Sequence, residues 1–227
     1  MTLKKRFAFC LLLVCQFILG QHDSITKLKE VVVSDTNLEN FANTQSLQRL
    51  NDSIISKNQS SLTSLLNYNT VVYFKENGLG MTSSPSFRGT TAQQTAVVWN
   101  GININSQLLG QTNFNTISTR GFSSIDVKAG GGSVVYGSGA IGGTIHLNND
   151  LKFKDTFKND FQIYYGDFNT LSAIYGITVA TKKWSFDASF TRNSSDNDYK
   201  FVGQDQKNAN GQYYNNSLDV AFGYKIN

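Results

Sequence analysis

Beyond residue 15 the chain has no cysteine, because both of its cysteines, Cys10 and Cys15, fall in the first twenty residues. Everything after them therefore lacks disulfides, thiolate metal sites and cysteine chemistry. Proline occurs once, at Pro85, and charged residues make up 16% of the 227 residues, against about a quarter in an ordinary soluble domain. After residue 20 no apolar run approaches the roughly twenty residues that a membrane-crossing helix needs. His22 and His146 stand alone, and no nucleophile, catalytic carboxylate pair or metal-ligand cluster is recognisable. The expectation is no enzyme, no cofactor and no metal site. Low charge without apolar helices suits a membrane β-barrel and a soluble all-β domain alike.

The formal net charge is +4, but Lys4, Lys5 and Arg6 supply three of these, so the remainder is near neutral and nucleic acid is not an expected partner. Those three residues precede an apolar stretch from Phe7 to Leu19, then Gly20 and the polar Gln21, His22 and Asp23. The stretch is too short to anchor a helix in a bilayer and reads as a secretory signal peptide over 1–20. A lipoprotein reading at Cys15 is disfavoured by Val14 before it and by the apolar residues that continue past it.

Glycine is concentrated between Gly121 and Asn149, GFSSIDVKAGGGSVVYGSGAIGGTIHLNN. Its apolar runs (Ile125, Val127; Val134, Val135, Tyr136; Ile145, Leu147) read as short strands joined by tight turns. Gly137, Gly139 and Gly142 satisfy G-x-G-x-x-G, but a dinucleotide site needs a helix directly afterwards to hold the pyrophosphate. Thr144-Ile145-His146-Leu147 predicts a strand there instead.

The run from Ile125 through Gly130, Ser133, Tyr136, Gly137, Gly142 and Gly143 to Ile145 resembles the closing motif of the plug domain of TonB-dependent outer-membrane receptors. Phe87-Arg88-Gly89 is similar to the same family's I-R-G motif, and with these matches the resemblance covers about residues 29–150. Two departures stand out: Ala129 where arginine or lysine is common, and Gly131 where proline is usual. The resemblance implies an α+β plug domain followed by the first antiparallel strands of a transmembrane β-barrel, incomplete at this length. It implies domains at 21–36 (coupling segment), 37–150 (plug) and 151–227 (first barrel strands). It also implies that Arg88 is a buried or partly buried tether between plug and barrel.

Lys29 to Ser34 is a short β-branched run, and an extended segment of this kind can add to the edge of a partner's sheet. Under the resemblance Glu30, Val31, Val32, Val33 and Ser34 correspond to the TonB box, pulled by a TonB-type energy-coupling protein; read alone, they are simply a first strand. Leu47, Leu50 and Ile54 have helix-compatible spacing in a mixed pattern. Ser60 or Ser61 offers an N-cap for a short helix carrying Leu62, Leu65 and Leu66 on one stripe. Val71 to Phe74 predicts a strand ending at Asn77-Gly78-Leu79-Gly80, and Thr82 to Pro85 predicts a polar turn. Thr95 to Trp99 and Ile102 to Ile104 flank Asn100-Gly101, the two-residue signal of a type I′ hairpin. In the resembled receptors the apical plug loops form the floor of the substrate site. That implication selects Asn77, Leu79, Met81, Asn105, Gln107, Leu108 and Gln111 as contacts to a small-molecule ligand, while the bland reading makes the polar loop at 105–115 a connector.

From Asn159 the pattern changes to longer period-two runs. Trp184, Phe186, Ala188 and Phe190 alternate with Ser185, Asp187, Ser189 and Thr191, and Leu218, Val220, Phe222 and Tyr224 alternate with Asp219, Ala221, Gly223 and Lys225. A strand with lipid on one side and a polar lumen on the other needs this pattern, and a soluble sandwich shows it too. With the plug ending on the periplasmic side, Gly166 to Asn169 is an outer turn, Thr181 to Lys183 an inner turn, and Asn193 to Asn216 a long outer loop. The carboxylates of that loop, Asp196, Asp198 and Asp205, lack the spacing of a calcium loop. A barrel wide enough for a plug needs about 22 strands, so the chain reads as an N-terminal part of a receptor. The expected role is energy-coupled uptake of a scarce nutrient, cobalamin or an iron chelate, at the outer membrane, with lipid as surroundings. The alternative is an exported β-rich binding or adhesion protein without energy coupling.

Overall fold

The computed structural model describes residues 46–58 and 61–226, so the expected leader and the segment Glu30 to Ser34 lie outside it. Two sheets dominate. The first has five strands in the order β1 (Leu47–Asn51), β6 (Ser124–Ala129), β7 (Gly143–Asn148), β4 (Thr95–Trp99), β5 (Ile102–Asn103). Only the β7–β4 pair is parallel. A two-stranded ribbon, β2 (Tyr73–Glu76) with β3 (Ser83–Ser86), stands apart from it.

Alternation divides the first sheet into two faces. Leu50, Val97, Ile125, Val127, Ile145 and Leu147 point into one core with Phe74, Phe87 and Phe114. Helices α1 (Asp52–Lys57) and α2 (Leu62–Asn69) close that core. In α2, Leu62, Leu65 and Leu66 are fully buried, and the Ser61 hydroxyl caps the helix by accepting from the Ser64 N–H. Burying each leucine contributes about 1.5–3 kcal/mol before chain entropy is counted, enough to hold an eight-residue helix that is too short to persist alone. On the other face Arg49 sits opposite Asp126, giving Nε to Oδ1 at 2.7 Å and Nη2 to Oδ2 at 3.2 Å, while Asn148 Nδ2 donates to Asp126 Oδ2 at 3.0 Å. There too His146 is buried, with Nε2 2.8 Å from the Thr144 hydroxyl and its ring edge-on to Tyr136.

The hairpin at Asn100-Gly101 forms as expected, with φ values of +46° and +87°. Three expectations do not hold. Leu47 and Leu50 belong to a strand and Ile54 to a helix, because β1 pairs along β6 before Asn51 caps α1. Residues 83–86 form β3 rather than a turn; Pro85 lies opposite Phe74, and a two-stranded ribbon leaves the missing proline N–H on an outer edge. Val134 to Tyr136 lie in a single helical turn, α3 (Ser133–Tyr136), not a strand. β6 and β7 pair directly with each other as far as Ala129 opposite Gly143, so residues 130–142 are their connection and meet no open edge. Gly131 in that connection has φ +66°, a conformation closed to proline, which accounts for this departure from the resembled motif. Strand β7 follows the G-x-G-x-x-G residues, in line with the argument against a dinucleotide site.

The second sheet is an antiparallel meander of β8 (Thr156–Gly166), β9 (Thr170–Ala180), β10 (Trp184–Ser195) and β11 (Tyr213–Tyr224). Its polar face is the covered one. In β10 Ser185, Ser189, Thr191 and Ser195 are buried, while Phe190 is exposed. In β11 every second residue is open: Leu218 is 71% exposed, Val220 58% and Phe222 65%. The apolar side of this sheet thus faces away from the first sheet and the polar side toward it, the orientation that a barrel wall requires.

Candidate functional site

The covered face of the wall meets the first-sheet domain along a seam, and the seam's residues come from short connections that the core strands position. The single-turn segment Thr119–Gly121 precedes β6 and places Arg120 between the two parts. Its Nη2 donates to Ser56 O at 3.3 Å and Asn58 O at 2.8 Å, at the end of α1, and to Gln162 Oε1 of β8 at 3.0 Å. A guanidinium with its planar donors suits this bridging role, and its charge complements the carbonyl end of the helix. Nearby, Lys158 Nζ lies 3.4 Å from Asp52 Oδ2, and Ser118 Oγ donates to Thr191 Oγ1 at 3.2 Å.

Strand β11 runs along the same seam. Asp219 abuts Gly121, where a Cβ would fall 2.5 Å from the carboxyl carbon. The Tyr213 ring lies against Gly80, occupying the space that a Cβ there would need. Asn215 Nδ2 donates to Asn115 O at 3.2 Å, and Asn115 Nδ2 donates to Glu76 Oε1 and Met81 O, both at 2.7 Å. The loop joining β2 to β3 is thus fastened through Asn115 and Tyr213 to the wall.

Asn77, Leu79 and Met81 all lie in that loop and are exposed. Leu79 lines a cavity of about 230 Å³ between the loop and the upper ends of the wall strands, with Glu76, Asn115, Tyr164, Tyr213 and Asn215. Asn105, Gln107, Leu108 and Gln111 are not among its lining residues. Asn105 holds its own loop in place, accepting from Val97 N at 3.0 Å and donating to Thr95 O at 2.9 Å and Gly110 O at 3.0 Å. Gln107 and Leu108 are exposed, Leu108 by 92%. A second, smaller cavity of about 110 Å³ lies lower in the seam, with Arg120, Lys152 and Lys158 facing Asp52, Asp160 and Asp187.

The motif residues separate into two roles. Gly143 lets Phe87 and the Lys128 carbonyl approach, since a Cβ there would fall 2.7 Å from that oxygen, and Gly142 similarly accommodates Thr90. Arg88 departs from expectation: it is exposed in the turn after β3, with φ +50°, followed by Gly89 at +85°. Between the plug and the four described wall strands the bridging arginine is Arg120, which sequence reasoning missed although Arg120-Gly121 repeats the Arg88-Gly89 pair. Among the described residues no group of His, Cys, Asp or Glu is arranged to hold a metal ion.

Residues 39–144 match the family profile described as the TonB-dependent receptor plug domain. Vitamin B12 transporter BtuB of Vibrio vulnificus (strain YJ016) is 35% identical over 92 residues, which are 40% of this chain and 15% of that protein. Copper transporter OprC has a similar fold, with TM-score 0.61 and 16% identity over 73% of this chain and 26% of that one. The ferric yersiniabactin uptake receptor FyuA from Yersinia pestis follows, with TM-score 0.55 and 16% identity over 73% and 27%. Over residues 39–144 the chain is thus similar to the plug domain of TonB-dependent receptors, and antiparallel strands follow that do not, among the described residues, close a barrel. It spans about a quarter or less of the length of these relatives.

Proposed function

We propose that this chain supplies the plug and first wall strands of an outer-membrane receptor for energy-coupled uptake of a scarce nutrient, cobalamin or an iron chelate. The observation that carries the reading is the inverted wall: hydroxyl and amide side chains of β10 and β11 face the plug, and Phe190, Leu218, Val220 and Phe222 face away. Strands of this kind are stable in lipid and expose too much apolar surface for water. In this reading residues 1–20 direct export, 37–150 form the plug and 151–227 begin the barrel. The loop at 77–82, with Asn77, Leu79 and Met81, takes part in binding at the outer face, and the loop with Asn105, Gln107, Leu108 and Gln111 adds further contacts, of which Gln107 and Leu108 are exposed and Asn105 and Gln111 half-buried.

Energy enters through Glu30 to Ser34, which adds as a strand to the coupling protein on the inner side. The similarity to transporters of vitamin B12, copper and ferric yersiniabactin supports uptake in general, and their differing cargoes leave the plug compatible with either nutrient class. The test is capture of the receptor by the periplasmic domain of the coupling protein. Val32→Pro removes a ladder donor and should abolish capture. Undiminished capture would remove the coupling role and leave an exported binding protein in its place.

A further inference from the structure

We infer that the cavity beneath the 77–82 loop selects by charge, accepting a neutral or cationic group rich in amide or hydroxyl hydrogen bonds and rejecting a carboxylate, catecholate or phosphate. The inference rests on the uptake reading and adds a ligand chemistry to it. Among the described residues that line this cavity none is a lysine, arginine or histidine, and Glu76 is their one ionic group. Asn115 pins that carboxylate by donating to Oε1 at 2.7 Å, so it stays at the cavity wall. The remaining polar lining is neutral, chiefly Ser64, Asn115, Tyr164, Tyr213 and Asn215, which offers both donors and acceptors.

The lower cavity of the same seam shows that cations are not simply scarce at this interface, since Arg120, Lys152 and Lys158 all line it. An anion entering the upper cavity would give up water without gaining a counter-charge and would face Glu76 as well. At about 230 Å³ the space is below the roughly 300–1,000 Å³ of a drug-sized ligand pocket, so it suits one arm of a larger ligand. The Tyr213 ring seated on Gly80 makes a rigid side to it, and Leu79 adds an apolar contact.

The test measures equilibrium binding to the full-length receptor, purified from outer membranes in detergent at low salt. Four probes form two pairs: cyanocobalamin with its derivative carrying one peripheral amide hydrolysed to the acid, and a neutral ferric trihydroxamate with a trianionic ferric tricatecholate. Within whichever pair binds, the uncharged member should bind about tenfold or more tightly, given like-charge repulsion across a few ångströms in a half-desolvated site. Glu76→Gln should narrow the gap and Glu76→Lys should reverse it. Equal binding within a pair, or a gap that both variants leave unchanged, would overturn the charge selection while leaving uptake intact. Binding of none of the four would overturn both readings together.

Discussion

The plug and the wall use the same alternating code with opposite results. In β6 and β7 of the plug, Ile125, Val127, Ile145 and Leu147 turn toward α2 and are fully buried. In β10 and β11 of the wall the equivalent apolar positions, Phe190, Leu218 and Phe222, are the open ones, and serine and threonine are covered. Period two identifies a strand with two unlike faces and says nothing of which face is inside. That choice falls to the partner: a helix with a leucine stripe draws the apolar side of the plug sheet, whereas the wall meets a polar plug surface with its hydroxyls.

The strongest way to break this contrast is to remove one aromatic ring from each part. Phe114 is buried edge-on against Phe74, with ring centroids 5.1 Å apart. Phe114→Ala should cost about 3–5 kcal/mol, because the transfer energy is lost and a cavity remains. Phe222→Ala, on the open face, should change the denaturation midpoint of the detergent-refolded protein little by comparison. A comparable loss for Phe222→Ala would mean that the apolar side of the wall is covered. The reverse experiment places a charge on that side: Leu218→Arg should cost about 2–4 kcal/mol in lipid if the residue lies near mid-bilayer, read as reduced insertion into vesicles. Unchanged insertion would count against a lipid-facing β11.

Much of this was legible beforehand where a local cause suffices. The Ser61 cap with its leucine stripe and the two positive φ values at Asn100-Gly101 are contained in a few neighbouring residues, and the wall turns after Gly166 and Ala180 fall where the alternation breaks. The misreadings share a dependence on distant partners. Pro85 is in a strand only because Phe74 is opposite it, and Val134 to Tyr136 are helical because β6 and β7 already occupy each other. The hydrogen bonds of Asn105 to β4 and to Gly110 of its own loop were likewise not legible in its neighbours. Arg88 and Arg120 both precede glycine, and nothing in their immediate neighbours distinguishes the exposed one from the bridge.

That bridge gives the next contrast, because it is where the two opposite faces are joined. Arg120→Ala removes the donors to Ser56 O, Asn58 O and Gln162 Oε1 at once. Hydrogen bonds from a charged group are worth about 1.5–3 kcal/mol in total effect when a partly buried partner is left unmet, so a loss of that order is expected. Arg120→Lys should recover only part, since an ammonium cannot reproduce the planar fork. The loss should show as faster proteolysis near α1, with the wall strands still paired; full retention by the lysine variant would reduce Arg120 to a charge without geometry.

The smallest effect concerns the long connection between β10 and β11, where neither core nor lipid sets the structure. Lys207 Nζ donates to Asp198 Oδ2 at 2.8 Å, and that hydrogen bond, with the lysine's charge, holds the Asp198 carboxyl below its ordinary value of 3.8. A depressed carboxyl favours the ordered loop above the ordinary value, and that contribution disappears as the pH falls through the lower, folded one. Because the pair is exposed, the effect should be slight and should shrink further in salt. Amide exchange in residues 196–212 should therefore quicken, relative to the wall strands, on acidification below about pH 4, the usual carboxylate range. Asp198→Asn should have the quicker exchange already at neutral pH and lose the acid response; an unchanged response in that variant would assign the loop's order to the buried Asn197, which accepts from Asn208 Nδ2 at 3.0 Å, and not to the ion pair.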